Sequence, residues 1–272
     1  MNYSIIIYII GMILKIEAAF MLLPAVTALI YQETCGVAFL ITIVLCLAIG
    51  FPLTRKKPTR KAFYTKEGFV TVALSWIVLS IMGAIPFVIS RSIPNPVDAL
   101  FETVSGFTTT GASILSNVEA LPHCMLMWRS FTHWIGGMGV LVFILSLLPL
   151  TGGYHMNLMK AESPGPSVSK LAPKVQSTAK ILYTIYFVMT VIQIVLLLIG
   201  GMPLFDAICT AFGTAGTGGF GIKNDSMASY STYLQVVITV FMILFGVNFN
   251  AYFFIITKKF AQAFKMEEIR YY

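Results

Sequence analysis

The chain has 272 residues, of which 57% are hydrophobic and only 11% are charged, and its formal net charge at pH 7 is +7. Soluble domains are typically about a quarter charged, so this composition excludes an ordinary water-soluble domain and indicates a membrane protein. The four cysteines are scattered and show no metal-ligand spacing. We therefore predict neither a transition-metal site nor a disulfide framework from Cys35, Cys46, Cys124 and Cys209.

Six segments along the chain approach or exceed the roughly 20 apolar residues that a membrane-spanning helix needs. The first has no basic amino-terminal region and no small-residue cleavage site, so we predict a retained membrane segment rather than a signal peptide. It is also the weakest of the six, because Lys15 and Glu17 interrupt it. The predicted spans are residues 5–30, 37–53, 69–90, 128–150, 181–202 and 233–256.

A shorter apolar run precedes the fourth span, at residues 97–107, and another precedes the sixth, at residues 204–212. Ten helical residues extend about 15 Å, which is half the thickness of the hydrocarbon core. Each run leads into a segment rich in threonine and glycine. This pattern predicts a re-entrant helix that enters the membrane, ends at mid-depth and returns as extended chain.

The two short runs and their Thr/Gly segments form a repeat. In each copy a glycine follows the aspartate of an Asp-Ala pair by thirteen positions, at Asp98 and Gly111 in the first copy and at Asp206 and Gly219 in the second. One Thr/Gly segment alone would be interpreted as a polar turn. The duplication, with long apolar spans on both sides of each copy, instead favours a pore that is built from repeats.

An extended Thr/Gly segment at membrane depth can replace the water shell of a cation with backbone carbonyls and threonine hydroxyls. Such irregular backbone is tolerated where it is buried in protein or lines a watery cavity. We predict φ > 0 at the two repeat glycines, because glycine can then turn its carbonyl inward without a side-chain clash. The predicted ion-binding residues of this selectivity filter are Thr108, Thr109, Thr110, Gly111 and Ala112 in the first copy and Gly216, Thr217, Gly218, Gly219 and Phe220 in the second.

The charged residues predict the orientation of the spans. Basic residues dominate the loops after the second, fourth and sixth spans, and the positive-inside rule assigns such loops to the cytoplasm. The Thr/Gly segments then enter from the outside, and the amino terminus is cytoplasmic. Asp98 and Asp206 lie at the starts of the short helices, where we expect them to cap free amide groups. Together with Glu102, they are predicted to support the filter or to attract cations at its outer mouth.

These patterns divide the chain into four parts. Residues 1–65 are predicted to form an amino-terminal pair of membrane helices and a basic cytoplasmic loop, and residues 66–150 the first pore repeat. Residues 151–174 are predicted to be a cytoplasmic linker. Residues 175–272 are predicted to form the second pore repeat and a basic tail.

The ordered set of motifs resembles the Trk/Ktr/HKT superfamily of potassium transporters, and specifically the membrane subunit of bacterial Trk systems. Residues 105–112, Ser-Gly-Phe-Thr-Thr-Thr-Gly-Ala, look like the first filter of that subunit, and residues 218–220 look like its second. Residues 128–139, 161–165 and 246–249 resemble the helix after the first filter, the connecting loop and the helix after the second filter. The resemblance covers nearly the whole chain beyond about residue 50.

This resemblance implies an all-α membrane protein in which four repeats of helix, pore helix, filter and helix surround one pore. It implies potassium uptake across the inner membrane, with sodium or proton coupling in many members, no cofactor besides the transported ion, and a cytoplasmic nucleotide-binding regulatory subunit. A glycine at position 111 matches the potassium-selective pattern of the family. Arg129 lies at the start of the predicted fourth span, near the membrane interface, where it could stand behind the filter or snorkel to that interface.

The chain departs from the family pattern because it holds two repeats rather than four. A half-length product, a homodimer and a missing second half from another gene each fit that count. The main alternative function is a non-conducting subunit that co-assembles with a full-length relative. An intramembrane enzyme is disfavoured, because His123, His133 and His155 have no serine or aspartate at a helical spacing that repeats. The expected surroundings are a lipid bilayer, with no nucleic-acid partner.

Overall fold

The structure, a computed structural model, describes residues 2–56, 58, 65–139 and 175–272. Within these residues the regular structure is helical, without a strand, and this confirms the predicted all-α membrane fold. The helices are α1 (Tyr3–Phe20), α2 (Leu22–Ile30), α3 (Gly36–Thr54), α4 (Thr65–Ile89), α5 (Pro96–Phe107), α6 (His123–Met138), α7 (Val175–Ile199), α8 (Leu204–Ala215), α9 (Thr232–Gly246), α10 (Phe249–Ile256), α11 (Phe260–Ala263) and α12 (Glu267–Tyr271), with a 3-10 turn at Val118–Ala120.

Four of the predicted spans appear as helices that are long and apolar enough to cross a membrane. They are Tyr3–Ile30, Gly36–Thr54, Lys66–Ile89 and Ala179–Ile199. The first consists of α1 and α2, which are separated by a break at Met21. Pro24 accounts for the break, because a proline ring clashes with the carbonyl four residues earlier, here that of Phe20 at the end of α1.

The predicted repeat is visible in the lengths and order of the helices. The short helices α5 and α8 have 12 residues each, and the longer helices α4 and α7 that precede them have 25 each. Helix α8 continues to Ala215, beyond the predicted end at residue 212. After each short helix the chain leaves helical conformation, and a further apolar helix follows, α6 in the first copy and α9 in the second.

The predicted sixth span, residues 233–256, is wrong as a continuous helix. It is split into α9 and α10, which meet at an angle of 85°. The chain is extended at Val247, and the side chain of Asn248 caps α10 by accepting a hydrogen bond from the Asn250 amide at 3.0 Å. A capping asparagine two residues after a glycine favours a new helix start over continuation, and this local preference outweighs the unbroken apolar pattern.

The second half of the predicted fourth span lies outside the described residues. Helix α6 begins at His123 rather than at residue 128, and the description of this segment ends at Gly139. Residues 140–150 and the predicted linker at 151–174 are therefore not described. The same holds for residues 57 and 59–64 of the first basic loop.

Helix α6 is the buried centre of the first repeat. Trp128 is fully buried, and its indole Nε1 donates a hydrogen bond to the Gly83 carbonyl of α4 at 2.9 Å. The rings of Phe39 and Phe107 meet the indole edge-on, with centroid distances of 6.1 and 6.2 Å. Contacts from α3, α4 and α5 thus fix α6 in place, and α6 carries the residues that lie behind both Thr/Gly segments.

Candidate functional site

The two Thr/Gly segments, residues 108–112 (the first segment) and 216–220 (the second segment), share a backbone conformation. In the first, φ is +54° at Thr109 and +74° at Gly111; in the second, it is +57° at Thr217 and +69° at Gly219. Positive φ is uncommon for threonine. Its occurrence at matched positions of both copies shows that the repeat extends to the backbone, and the predicted φ > 0 at the two glycines is confirmed.

Backbone amides of the first segment point back to the short helix before it. Thr109 donates to the Gly106 carbonyl at 3.1 Å, and Thr110 donates to the Ser105 carbonyl at 3.0 Å. In a trans peptide unit, the carbonyl points opposite to the amide of the following residue. All peptide bonds of the described chain are trans, so the carbonyls of Thr108 and Thr109 are directed away from α5.

Backbone amides of the second segment likewise donate to its short helix, α8. Thr217 donates to the Thr214 carbonyl at 2.8 Å, and Gly219 donates to the Gly213 carbonyl at 3.3 Å. The carbonyls of Gly216 and Gly218 therefore point away from α8. Together with Thr108 and Thr109, the two segments present four backbone oxygens on the sides that face away from their own short helices.

The segments lie directly against each other. A Cβ atom added to Gly111 would overlap the carbonyl oxygen of Gly218, and one added to Gly218 would lie 2.8 Å from the carbonyl oxygen of Thr109. Both glycines are thus needed for close approach, and Gly111 is also needed for its positive φ. This contact joins residues 107 positions apart, and it places the two predicted filter segments side by side.

The exposed face of the pair is made of predicted filter residues. Thr108, Thr110, Thr217 and Gly219 are exposed in the isolated chain, and Thr109, Gly111 and Gly218 are partly exposed. This face of threonines, glycines and outward-facing carbonyls is the chain's candidate ion-binding surface.

Two predicted filter residues are oriented differently from the rest. The carbonyl of Ala112 accepts a hydrogen bond from the Ser105 hydroxyl at 2.5 Å, so it faces α5. The side chain of Phe220 is 2% exposed, and its carbonyl lies 2.6 Å from the position that a Cβ on Gly213 would take. Both residues therefore lie against the short helices at the carboxyl-terminal ends of the segments, and their carbonyls are turned away from the exposed face.

A buried ion pair holds the chain beyond the first segment. Arg129 of α6 and Glu102 of α5 are 3% and 0% exposed in their side chains, and Nε lies 2.5 Å from Oε1. The Glu102 carboxylate also accepts hydrogen bonds from the Ser113 hydroxyl at 2.9 Å and from the Ile114 amide at 2.9 Å. Glu102 thus holds the chain directly after the first segment, and its role in supporting the filter stays a prediction.

Arg129 also reaches the second segment. Its Nη1 donates to the Gly221 carbonyl at 2.6 Å, and its guanidinium carbon lies 3.3 Å from the centroid of the Phe220 ring. A side chain that snorkels to the interface would be exposed, so that interpretation is wrong and Arg129 lies behind the segments. One cation from the first repeat therefore supports both copies.

His133 is a residue that the sequence reasoning did not place at this site. Its ring stacks on Phe220 with a centroid distance of 4.5 Å, and a Cβ on Gly218 would collide with its Nε2. Neither ring nitrogen has a hydrogen-bond partner among the described residues. The sequence feature that could have identified His133 is its position four residues after Arg129, because residues i and i+4 share a helix face.

The capping role predicted for the two aspartates is wrong in detail. Asn95 is the N-cap of α5, and its side chain accepts from the Val97 amide at 3.0 Å, while Asp98 lies within the first turn. Asp206 also lies in the first turn of its helix, and its Oδ2 accepts from the Tyr230 hydroxyl at 3.0 Å. Both carboxylates still lie next to the positive end of a helix dipole.

The loops after the two segments are locked together by Asn224. Its side-chain oxygen accepts a hydrogen bond from the Val118 backbone amide at 2.7 Å, and its backbone amide donates to the Glu119 carboxylate at 3.0 Å. Beside this contact lies an open cavity of about 500 Å³, whose lining includes Asp206 and Asp225. The lining is of mixed sign, because it also contains Lys223.

Comparison with known proteins gives consistent matches. Residues 36–271 match the TrkH family, described as a cation transport protein. The chain is 39% identical over 261 residues to the Trk system potassium uptake protein TrkH of Salmonella typhimurium, and 35% identical over 263 residues to TrkG of Escherichia coli strain K12. These alignments cover 93% and 95% of the chain but 53% and 54% of the relatives.

The fold comparison agrees with the sequence comparison. The crystal structure of the potassium transporter TrkH from Vibrio parahaemolyticus superposes with a TM-score of 0.79 at 32% identity. The match covers 93% of this chain and 52% of that one. The chain thus spans about half the length of the relatives that it matches.

Proposed function

The chain belongs to the TrkH family of cation transport proteins, and from that premise we propose that it takes up potassium by lining part of a pore with its two Thr/Gly segments. The family consists of transporters rather than enzymes. The relatives TrkH and TrkG are potassium uptake proteins about twice as long as this chain. The potassium activity of this chain is therefore a proposal.

The observation that carries the proposal is the contact between two segments of matched conformation. Four carbonyl oxygens, those of Thr108, Thr109, Gly216 and Gly218, point away from their short helices. A large, hard cation in a protein site takes about six to eight oxygen ligands. Four oxygens from one chain are about half of that set, as expected if two further segments complete the ring.

We propose that the complete pore includes two more filter segments, from a second copy of the chain or from a separate half. The exposed face of Thr108, Thr110, Thr217 and Gly219 is the surface that the missing half would meet. A non-conducting subunit that assembles with a full-length relative would use the same face. The two functions differ in whether ions pass through the assembled ring.

The proposed setting is the inner membrane, with the amino terminus in the cytoplasm and the two short helices entering from outside. The charge distribution between loops supports this orientation. On this orientation the cavity beside Asp206 and Asp225 opens to the outside and forms part of the mouth. Sodium or proton coupling and a cytoplasmic nucleotide-binding regulator are further proposals, and they rest on the family resemblance.

A chimera tests the transport function separately from the question of assembly. The chain replaces the matching half of Salmonella TrkH, and rubidium uptake is measured in a bacterium that lacks its own potassium uptake systems. We expect uptake above the vector control. A chimera that reaches the membrane at the level of the parent protein but carries no rubidium would contradict potassium conduction and support the non-conducting alternative.

A further inference from the structure

Two cysteines that are 89 positions apart in the sequence meet at one end of the molecule. Cys35 precedes α3 and Cys124 lies in the first turn of α6, and their sulfur atoms are 2.9 Å apart. The other two cysteines, Cys46 and Cys209, are buried within helices, and no cysteine lies against either of them among the contacts of the described residues. The sequence did not predict this pair, because the two cysteines are far apart along the chain.

The pair lies at the end where the short helix α8 begins. The Tyr31 ring stacks on the His123 ring with a centroid distance of 3.9 Å and meets the Phe205 ring edge-on at 5.5 Å. In the orientation proposed above, this end of the molecule faces the outside. Disulfides form and persist in the oxidising bacterial envelope, whereas cytosolic thiols are kept reduced.

We propose that Cys35 and Cys124 form a disulfide that ties the turn between α2 and α3 to the start of α6. The inference rests on the proposed orientation of the chain. The tie would join the amino-terminal hairpin to the helix whose Arg129 and His133 stand behind both Thr/Gly segments. It would be a covalent constraint on the scaffold of the filter rather than on the filter itself.

A metal site is the alternative that the same atoms suggest. Glu33, Cys35 and Cys124 place one ligand atom each within 4.8 Å of one another, and His123 is adjacent. Zinc binds such thiolate, imidazole and carboxylate ligands. However, the Glu33 carboxylate is already occupied, because Oε1 accepts from the His123 amide at 2.7 Å and Oε2 accepts from the Cys124 amide at 2.9 Å. The Glu33 carboxylate thus caps the start of α6 and is not directed at a metal ion. The two thiols are then the groups that can react with each other.

The exposure of the sulfurs indicates the order of the reaction. Cys35 is partly exposed and Cys124 is buried, so the Cys35 thiolate attacks a sulfur of an envelope protein disulfide and forms a mixed disulfide. The Cys124 thiolate then attacks Sγ of Cys35 and releases the oxidant as a dithiol. Two thiols lose two protons and two electrons, and the oxidant disulfide takes up both. Burial raises the pKa of the Cys35 thiol, so the thiolate that attacks is a minor species at neutral pH and the oxidation is slow.

The test is a thiol map of the full chain. Membranes from aerobically grown cells are dissolved in SDS with N-ethylmaleimide and without reductant, then digested and analysed by mass spectrometry. We expect a linked peptide pair that is two hydrogens lighter than the sum of its parts and joins Cys35 to Cys124. Cys46 and Cys209 should carry the alkyl label in the same sample and serve as the internal control. Recovery of both Cys35 and Cys124 as alkylated residues overturns the disulfide.

Single substitutions and a chelator separate the remaining outcomes. In Cys35→Ser and in Cys124→Ser the linked peptide should vanish and the remaining thiol should become alkylated. If the thiols are protected from alkylation in native membranes and become reactive after EDTA, the cysteines form a metal site instead of a disulfide. In reduced intact cells, labelling of Cys35 by a membrane-impermeant maleimide checks the orientation. A missing linkage with Cys35 labelled from outside refutes only the disulfide; Cys35 labelled only in inside-out vesicles refutes the orientation on which it rests.

Discussion

Gly111 is constrained by its neighbour as well as by its backbone angle. Its φ is +74°, and a side chain would also overlap the carbonyl of Gly218 in the other segment. Gly201 has a similar φ of +82°, but a Cβ there meets nothing within 4 Å. A comparison of substitutions at Gly111 and Gly201 therefore separates two effects. One is the cost of a side chain at positive φ, about 1–3 kcal/mol, and the other is the displacement of a carbonyl in the candidate site.

We predict that Gly111→Ser weakens the discrimination of potassium against sodium more than it weakens folding. Displacing the Gly218 carbonyl changes the number and direction of the ion-facing oxygens, and a loss of about 1.4 kcal/mol in discrimination is a tenfold change. Rubidium and sodium uptake are measured in the chimera. Gly201→Ser is the matched control and should lower stability without changing the ion ratio. An unchanged ratio in Gly111→Ser would remove this residue from the filter.

Arg129 links the two repeats through contacts that a lysine cannot reproduce together. One guanidinium holds Glu102 through Nε and the Gly221 carbonyl through Nη1, whereas a lysine carries a single ammonium group. We predict that Arg129→Gln destabilises the protein by about 3–5 kcal/mol, because it leaves the buried Glu102 without its partner. Thermal unfolding in detergent measures the effect.

The double variant Glu102→Gln with Arg129→Gln is the control for that prediction. It removes both charges, so it should recover part of the stability that Arg129→Gln loses. Arg129→Lys should keep much of the stability but loosen the second segment, and so alter the ion ratio. If Arg129→Lys matches the parent in both stability and selectivity, the contact with Gly221 has no functional role.

At the scale of elements, the beginning of α6 depends on a carboxylate from another part of the chain. Glu33 accepts from the amides of His123 and Cys124 and from His123 Nδ1 at 3.0 Å. Burial raises the pKa of Glu33, but the hydrogen bonds from Cys124 and His123 outweigh it and hold the pKa below its usual value. The ionised carboxylate thus serves as the cap of α6.

This cap predicts a pH dependence of stability. Because the pKa of Glu33 is lower in the folded protein than in the unfolded chain, its contribution is present above the unfolded value of about 4.3 and is lost as pH falls through the lower folded value. The thermal unfolding midpoints of the parent protein and of Glu33→Gln should therefore converge as pH falls below about 4. Thr34→Ala, an exposed neighbour, should keep the parent profile. A constant gap between the parent and Glu33→Gln would contradict this role.

Some elements follow from the sequence because their signals are local. The short helices α5 and α8 follow from apolar runs that are too short to span a membrane, and the matched glycines after them predict the positive φ of the two segments. The bend between α9 and α10 could not be predicted from hydropathy, because residues 249–256 continue the apolar run. Its only local signal is Asn248 after a glycine and a valine, and tertiary contacts of the carboxyl-terminal tail support it. The Tyr272 hydroxyl donates to the Ile243 carbonyl at 2.8 Å.

The candidate site was predictable in its backbone and less so in its side chains. The Thr/Gly segments were found by repetition, whereas the Glu102–Arg129 pair and the stacking of His133 on Phe220 depend on how α6 packs between the two copies. The same holds for Cys35 and Cys124, which come together only when the amino-terminal hairpin packs on α6. Apart from the shared helix face of Arg129 and His133, spacing in the sequence carries no information on such contacts, because they join residues from separate elements.

At the scale of the whole molecule, the two segments leave an open face of threonine and glycine residues. Thr108, Thr110, Thr217 and Gly219 would meet lipid in an isolated chain. An unsatisfied backbone polar group in hydrocarbon costs several kcal/mol, so this face is unstable unless protein or water covers it. The chain should therefore be found with a partner half, as a second copy, or in low amounts in the membrane.

We predict that the 272-residue chain does not support potassium uptake as a monomer, because half a ring supplies about half of the six to eight oxygens that a large cation takes. The chain is expressed alone in a bacterium deficient in potassium uptake, and growth at limiting potassium is measured together with cross-linking in the membrane. A cysteine in place of Thr217, on the open face, reports proximity to a partner, and one in place of Thr34, at the turn between α2 and α3, is the control. Growth with no cross-linked species would show that two repeats suffice, whereas growth that appears only with a cross-linked pair would identify the second copy as the missing half.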